Sequence, residues 1–168
     1  GRDTMSGGSW IIGEDCRAID EVYGCVQVGL NGFHLNMLGW LPEDRIITVQ
    51  PSESVTVTLN SIADVSSTSD TILVMVPIAG SSTNYYTVEA RSLSAYDRNI
   101  PGEAVILHEV NTARREPAKV VDMDNNNNVN DAGAMWLPGE TFNDTRNKIT
   151  VEVLSRDGND YIVRISNR

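Results

Sequence analysis

Between Lys119 and Arg146 the chain carries five carboxylates, Asp122, Asp124, Asp131, Glu140 and Asp144, and no lysine or arginine to offset them. Within that stretch Asp122, Asp124, Asn126 and Asn128 recur at every second position. A calcium loop uses this spacing to aim successive side-chain oxygens at one centre, and calcium takes hard oxygen ligands of this kind. A complete EF-hand is excluded, because Asn127 stands where its glycine belongs and Gly133 where its terminal glutamate belongs. Asn127 is a residue type that tolerates the left-handed turn, and Asp131, or Glu140 folding back, would have to complete the shell. The candidate metal ligands are therefore Asp122, Asp124, Asn126, Asn128, Asp131 and Glu140, with calcium as the expected cofactor. The competing reading is a solvated loop whose Asn and Asp side chains bond their own backbone.

Catalytic chemistry finds little to work with. The two histidines, His34 and His108, are far apart and neither opens an HExxH; there is no GxSxG, and Gly7-Gly8 lacks the lysine of a phosphate-binding loop. His108 and Glu109 are neighbours on an expected strand, so they point to opposite faces and cannot act on one atom. His108 reads as an edge or core-rim side chain. Glu89 and Arg91, two apart on one strand, share a face and suit a structural ion pair. No catalytic residue is expected in this chain. Cys16 and Cys25 can close a short loop as a disulfide in an oxidising compartment, contributing about 2.5–3 kcal/mol, or stand as two reduced thiols. Two cysteines with no CxxC pair or nearby histidine supply too few ligands for structural zinc.

The elements that must carry these residues divide at about position 42. Residues 1–42 read as loop, with a possible helical turn around Asp15 to Tyr23. A short amphipathic helix follows from Asn31 to Leu41, built on Phe33, Leu35, Leu38 and Leu41 and ending around Gly39 and Pro42. Residues 43–168 alternate apolar and polar with period two and are β-branched. Strands are expected at Ile46–Gln50, Val55–Leu59, Thr71–Val76, Tyr85–Arg91, Ala104–Val110, Lys119–Val121, Ile149–Leu154 and Tyr161–Ile165. Arg156-Asp157-Gly158-Asn159 closes the last two into a hairpin, and the nearly continuous apolar run Thr71–Val76 marks an inner strand. Short strands at roughly ten-residue spacing predict a mainly β fold, an antiparallel β-sandwich preceded by a loop-rich segment and one short helix.

Composition limits the partners. The 168 residues hold 13 Lys+Arg against 23 Asp+Glu, a formal charge of −10, which excludes a conventional phosphate-backbone binder. The longest apolar stretch, Ile72 to Ala79, is far short of the roughly 20 residues that cross a bilayer. Neither nucleic acid nor a membrane is expected as a partner.

Several segments, read in order, resemble the second half of secreted metzincin-type zinc metallopeptidases of the gametolysin and immune-inhibitor-A kind. Asp3-Thr4-Met5-Ser6-Gly7 resembles the Met-turn, and His34-Leu35-Asn36 through Leu38-Gly39-Trp40-Leu41 the helix after it. Tyr85-Tyr86-Thr87-Val88-Glu89-Ala90-Arg91 and Ile100-Pro101-Gly102-Glu103-Ala104-Val105-Ile106-Leu107-His108 resemble two later strands, although Ala104 stands where the family often has glycine. Asn130-Asp131-Ala132-Gly133-Ala134-Met135-Trp136 and Pro138-Gly139-Glu140-Thr141-Phe142 resemble the loop before its last hairpin. The resemblance covers about two-thirds of the chain. It implies that Met5 is the hydrophobic floor beneath a zinc ion whose ligands, with the water-activating glutamate, must come from upstream. It also implies secretion, which suits a Cys16–Cys25 disulfide and calcium.

Two functions are expected to compete. One is the C-terminal, non-catalytic region of a secreted zinc metallopeptidase homologue, inactive alone, whose partner is the upstream catalytic domain. The other is a free-standing calcium-stabilised sandwich that binds a glycan or a protein, with Trp10, Trp136, Tyr85 and Tyr96 as stacking platforms or as core.

Overall fold

The computed structural model describes residues 19–20, 24–25, 28–63, 70–94, 97–98, 100–126, 128–129 and 131–168, the first two pairs in backbone only. The fold is mainly β, a sandwich of two sheets with one short helix. The strands are β1 (Ile19–Asp20), β2 (Gly24–Cys25), β3 (Ile46–Thr48), β4 (Glu53–Leu59), β5 (Leu73–Pro77), β6 (Asn84–Arg91), β7 (Ala104–Asn111), β8 (Ala118–Val120), β9 (Thr141–Asp144), β10 (Ile149–Asp157) and β11 (Asp160–Asn167); helix α1 is Gly32–Met37. One layer has the order β4-β11-β10-β9, the other β3-β5-β6-β7-β8, and β1 pairs with β2 alone. Every ladder is antiparallel except β3 on β5, a parallel pair the antiparallel expectation does not contain.

All eight expected strands form, with boundaries shifted by a few residues. Period-two patterning explains the four-stranded layer: Ile149, Val151 and Val153 of β10 and Tyr161, Val163 and Ile165 of β11 point inward and are buried. They meet Val74, Val76, Tyr86, Val88, Ala90, Val105 and Leu107 of the five-stranded layer in one core. The last hairpin turns at Gly158-Asn159, between the paired Asp157 and Asp160. Gly158 has φ +59°, the sign a two-residue hairpin loop demands.

The five-stranded layer is covered on its second face as well. Phe33 of α1 packs with Tyr85, Val110 and Ala118, and Leu41 with Ile62, Ile72 and Leu73. Strands β5 and β6 are therefore buried on both sides, which is why Thr71–Val76 reads as continuously apolar. His108, on this covered face of β7, is 1% exposed, a core residue rather than one at an edge or rim. Asn31 caps α1, its Oδ1 accepting from His34 N–H at 3.0 Å. Gly39, at φ +69°, ends it: its N–H bonds Asn36 O at 2.9 Å and Trp40 N–H bonds Leu35 O at 3.0 Å, the two bonds of a Schellman stop.

Two departures lie in the segments of weakest pattern. Residues 19–20, within the span around Asp15 to Tyr23 read as a possible helical turn, form a strand paired with residues 24–25. Strand β9 was not foreseen, because Thr141-Phe142-Asn143-Asp144 holds a single apolar residue and too short an alternation to register.

Candidate metal centre

The acidic loop leaves the sheet after β8 and returns before β9, pinned at both ends by backbone bonds. Val121 N–H bonds Leu107 O at 2.9 Å, and Met123 N–H bonds Gly133 O at 2.7 Å across the loop's neck. Asp131 caps the short turn at 132–134, its Oδ1 accepting from Gly133 N–H at 2.9 Å. Trp136 then re-enters the core through paired backbone bonds with Val105. This double closure brings together groups nine residues apart in sequence.

Asp122, Asp124 and Asp131 each place a carboxylate oxygen within 4.8 Å of the others. Calcium binds oxygen at 2.3–2.6 Å, so one ion is able to touch all three. Asn126 lies among them. Its backbone N–H bonds Asp124 Oδ1 at 3.1 Å, and its Nδ2 donates to Asp124 Oδ2 at 2.9 Å and to Asp131 Oδ2 at 2.8 Å. Asn126 Oδ1 in turn accepts from Asn128 N–H at 2.6 Å. Both oxygens of Asp122 are buried, and no hydrogen bond to either is made among the described residues. A buried carboxylate without donors is costly.

The Asn126 N–H pulls the Asp124 carboxyl down, but desolvation and the adjacent Asp122 and Asp131 outweigh it and leave it above its ordinary 3.8. Gly133 is required for the close approach. A Cβ there would lie 2.8 Å from the Asp124 carboxylate and 2.9 Å from Asp122 Oδ1. Sequence spacing did not single out this glycine, because its neighbours come from the far side of the loop.

Of the six candidate ligands, the structure gathers Asp122, Asp124 and Asp131, with Asn126 bonded to two of them. Asn128 enters this network through its backbone. Glu140 is outside the three-carboxylate cluster and accepts from Leu137 N–H at 2.6 Å, closing the turn before β9. Asn127 lies outside the described residues; within the described loop Asn125 takes the positive φ, at 53°. Met5, Cys16, Trp10 and Tyr96 also lie outside the described residues, and Cys25 is described only as the backbone partner of Ile19. Trp136 and Tyr85 are buried, so neither is a surface platform; among the described residues the exposed tryptophan is Trp40, at 65%.

A second carboxylate cluster stands on the covered face of β6. Arg91 donates to Glu89 Oε1 at 3.0 Å, to Asp97 through Nε at 2.8 Å, and to the carbonyls of Gly29 and Leu30 at 2.9 Å each. Gly32 N–H bonds Glu89 Oε2 at 2.5 Å and Gly29 N–H bonds Asp97 Oδ1 at 3.1 Å. All three side chains are at most 4% exposed. Burial raises the Asp97 carboxyl, opposed by Arg91 and the Gly29 N–H. The ion pair read from sequence is thus a bolt holding residues 29–32 on the sandwich. No family model, curated protein or solved structure matches the chain.

Proposed function

We propose that this chain is a non-catalytic β-sandwich module ordered by calcium, held by Asp122, Asp124 and Asp131. One arrangement carries the reading: three carboxylates within 4.8 Å, one with both oxygens buried and no donor on either among the described residues. Bound there, the dication neutralises the cluster and ties the exit of β8 to the entry of β9. The role is structural, because the carboxylates serve one another and the loop's own backbone. Titrating calcium into chelator-treated protein tests it. At a hundredfold excess over Kd, native-state binding adds about 2.7 kcal/mol, a rise in Tm of roughly 5–10 °C for a chain of this size. An unchanged Tm at millimolar calcium refutes the reading.

A second reading concerns the parent protein: the C-terminal region of a secreted zinc metallopeptidase homologue, inactive alone. Beyond the order of the motifs, its support is the part played by the matched strand. Glu89 and Arg91, both in the Tyr-Tyr-x-x-Glu-x-Arg match, bind the segment that leads out of residues 1–42. A joint of this kind suits a sandwich attached to the tail of a preceding domain. The chain alone is expected to show no zinc-dependent hydrolysis of a denatured-protein substrate. Cleavage abolished by a zinc chelator and restored by zinc would overturn this reading.

A further inference from the structure

Strand β9 ends its layer: it pairs with β10 on one side, and no strand among the described residues lies on the other. Alternation gives its residues opposite duties. Phe142 turns inward, meeting Tyr86 edge to face at 5.0 Å and Trp136 at 5.7 Å. Asp144 turns the same way. Its Oδ2 accepts from the Tyr86 hydroxyl at 2.8 Å, and its Oδ1 accepts from the N–H groups of Arg146 at 3.1 Å and Asn147 at 3.0 Å. Asn143, between the two, takes the outer face and is exposed, as is Thr145 in the turn that follows. That face belongs to water: Thr56 of β4 and Arg164 of β11, paired on it, are exposed as well.

Asn143-Asp144-Thr145 is the one place in the chain where an asparagine is followed two residues on by Ser or Thr, with no proline between. Secreted proteins accept N-linked oligosaccharides at this pattern. Neither end of it is engaged, since among the described residues the Asn143 carboxamide and the Thr145 hydroxyl make no hydrogen bond. We propose that Asn143 is an N-glycosylation site, its Nδ2 taking an oligosaccharide from a polyprenyl diphosphate donor. Nδ2 bonds the anomeric carbon of the first sugar, the bond from that carbon to the diphosphate oxygen breaks, the polyprenyl diphosphate leaves, and Nδ2 gives up one proton. The transferase of the secretory route supplies the catalysis and this chain the acceptor. The proposal rests on the secretion contained in the second reading above.

An attached oligosaccharide has to leave the fold intact, and this position meets that demand. It extends into water from the outer face of an end strand, breaks no side-chain hydrogen bond and displaces no core residue, because Phe142 and Asp144 hold β9 from the other side. One residue either way would defeat it: a sugar at Phe142 or Asp144 would point into the sandwich. The acid in the middle of the pattern is likewise drawn inward, away from the Asn143 carboxamide.

The test expresses the full chain behind a cleavable secretion leader in cultured animal cells, then weighs the chain recovered from medium and cells by mass spectrometry before and after peptide-N-glycosidase. Most molecules should carry an added oligosaccharide mass that the enzyme removes, and release in heavy-oxygen water should leave a labelled aspartate at position 143. Asn143→Gln and Thr145→Ala should each abolish the added mass, whereas Thr145→Ser should retain it. Both loss variants should melt with the enzymatically stripped parent, as their side chains are exposed and bond nothing. A chain whose leader has been cleaved but which carries no added mass overturns the proposal. So does a label at any other asparagine, or an added mass that survives Thr145→Ala. Because the leader brings the chain into the compartment, these outcomes judge the site alone; zinc-dependent hydrolysis by the chain would defeat the peptidase reading and leave the map of the glycan untouched.

Discussion

Among the described residues two clusters of carboxylates stand out, and they are balanced in opposite ways. Beneath α1, Glu89 and Asp97 share the guanidinium of Arg91, whose remaining donors take backbone carbonyls of residues 29 and 30. At the β8–β9 loop, the Asn126 amide joins Asp124 to Asp131, and the backbone N–H groups of Asn126 and Gly133 donate there as well. The first cluster is complete within the chain and performs a fastening task. The second is formed by three carboxylates that no lysine or arginine among the described residues pairs with, and the calcium reading proposes an external cation there.

The sharpest way to break this contrast is to remove the internal cation. Arg91→Met leaves Glu89 and Asp97 buried and uncompensated, and should cost about 3–5 kcal/mol in urea unfolding. A loss below about 1 kcal/mol would show that the two clusters are energetically alike. Gly133→Ala comes next. Its Cβ has no room beside Asp124 and Asp122, and overpacking of this sort costs about 1–3 kcal/mol; the variant should also lose the calcium-induced rise in Tm. A stable Gly133→Ala protein with an undiminished calcium response would remove the close approach from the argument.

The smallest effect tests the repulsion itself. The Asp124 carboxyl lies above 3.8 in the folded chain, so the native state holds that proton more tightly than the unfolded state does. Its favourable contribution is complete below 3.8 and is lost as pH rises through the raised value. In chelator, Asp122→Asn should flatten this part of the stability profile as pH rises above 3.8, and it should abolish the calcium response. Glu103 supplies an internal reference of opposite sign. Lowered from 4.5 by the Leu93 N–H and Arg156, it stabilises above that value and loses its contribution as pH falls, in the variant as in the parent. An unaltered profile after Asp122→Asn would mean that Asp122 does not perturb Asp124.

Much of the scaffold was legible because its causes are local. Ile149, Val151 and Val153 alternate with Thr150 and Glu152, and that alternation alone specifies a half-buried strand. Gly158-Asn159 and Gly39 announce their turns by conformational freedom, and Asn31 its cap by an oxygen placed three residues before a waiting N–H. The loop's alternating Asp and Asn were legible for the same reason. β9 was not, since its strand character comes from pairing with β10 rather than from its own four residues. Trp136, offered by sequence as platform or core, was decided by the Val105 bridge that draws it inward.

By itself the sequence determined the mainly β class, the hairpin, the helix with its two ends, and the position of the acidic loop. These rest on interactions between residues a few places apart. Tertiary structure decided that Asp131 joins Asp122 and Asp124 while Glu140 closes a turn, and that His108 is core. Those outcomes depend on strand register, layer order and loop closure, which bring distant segments to a shared face and leave no periodic trace in any one of them.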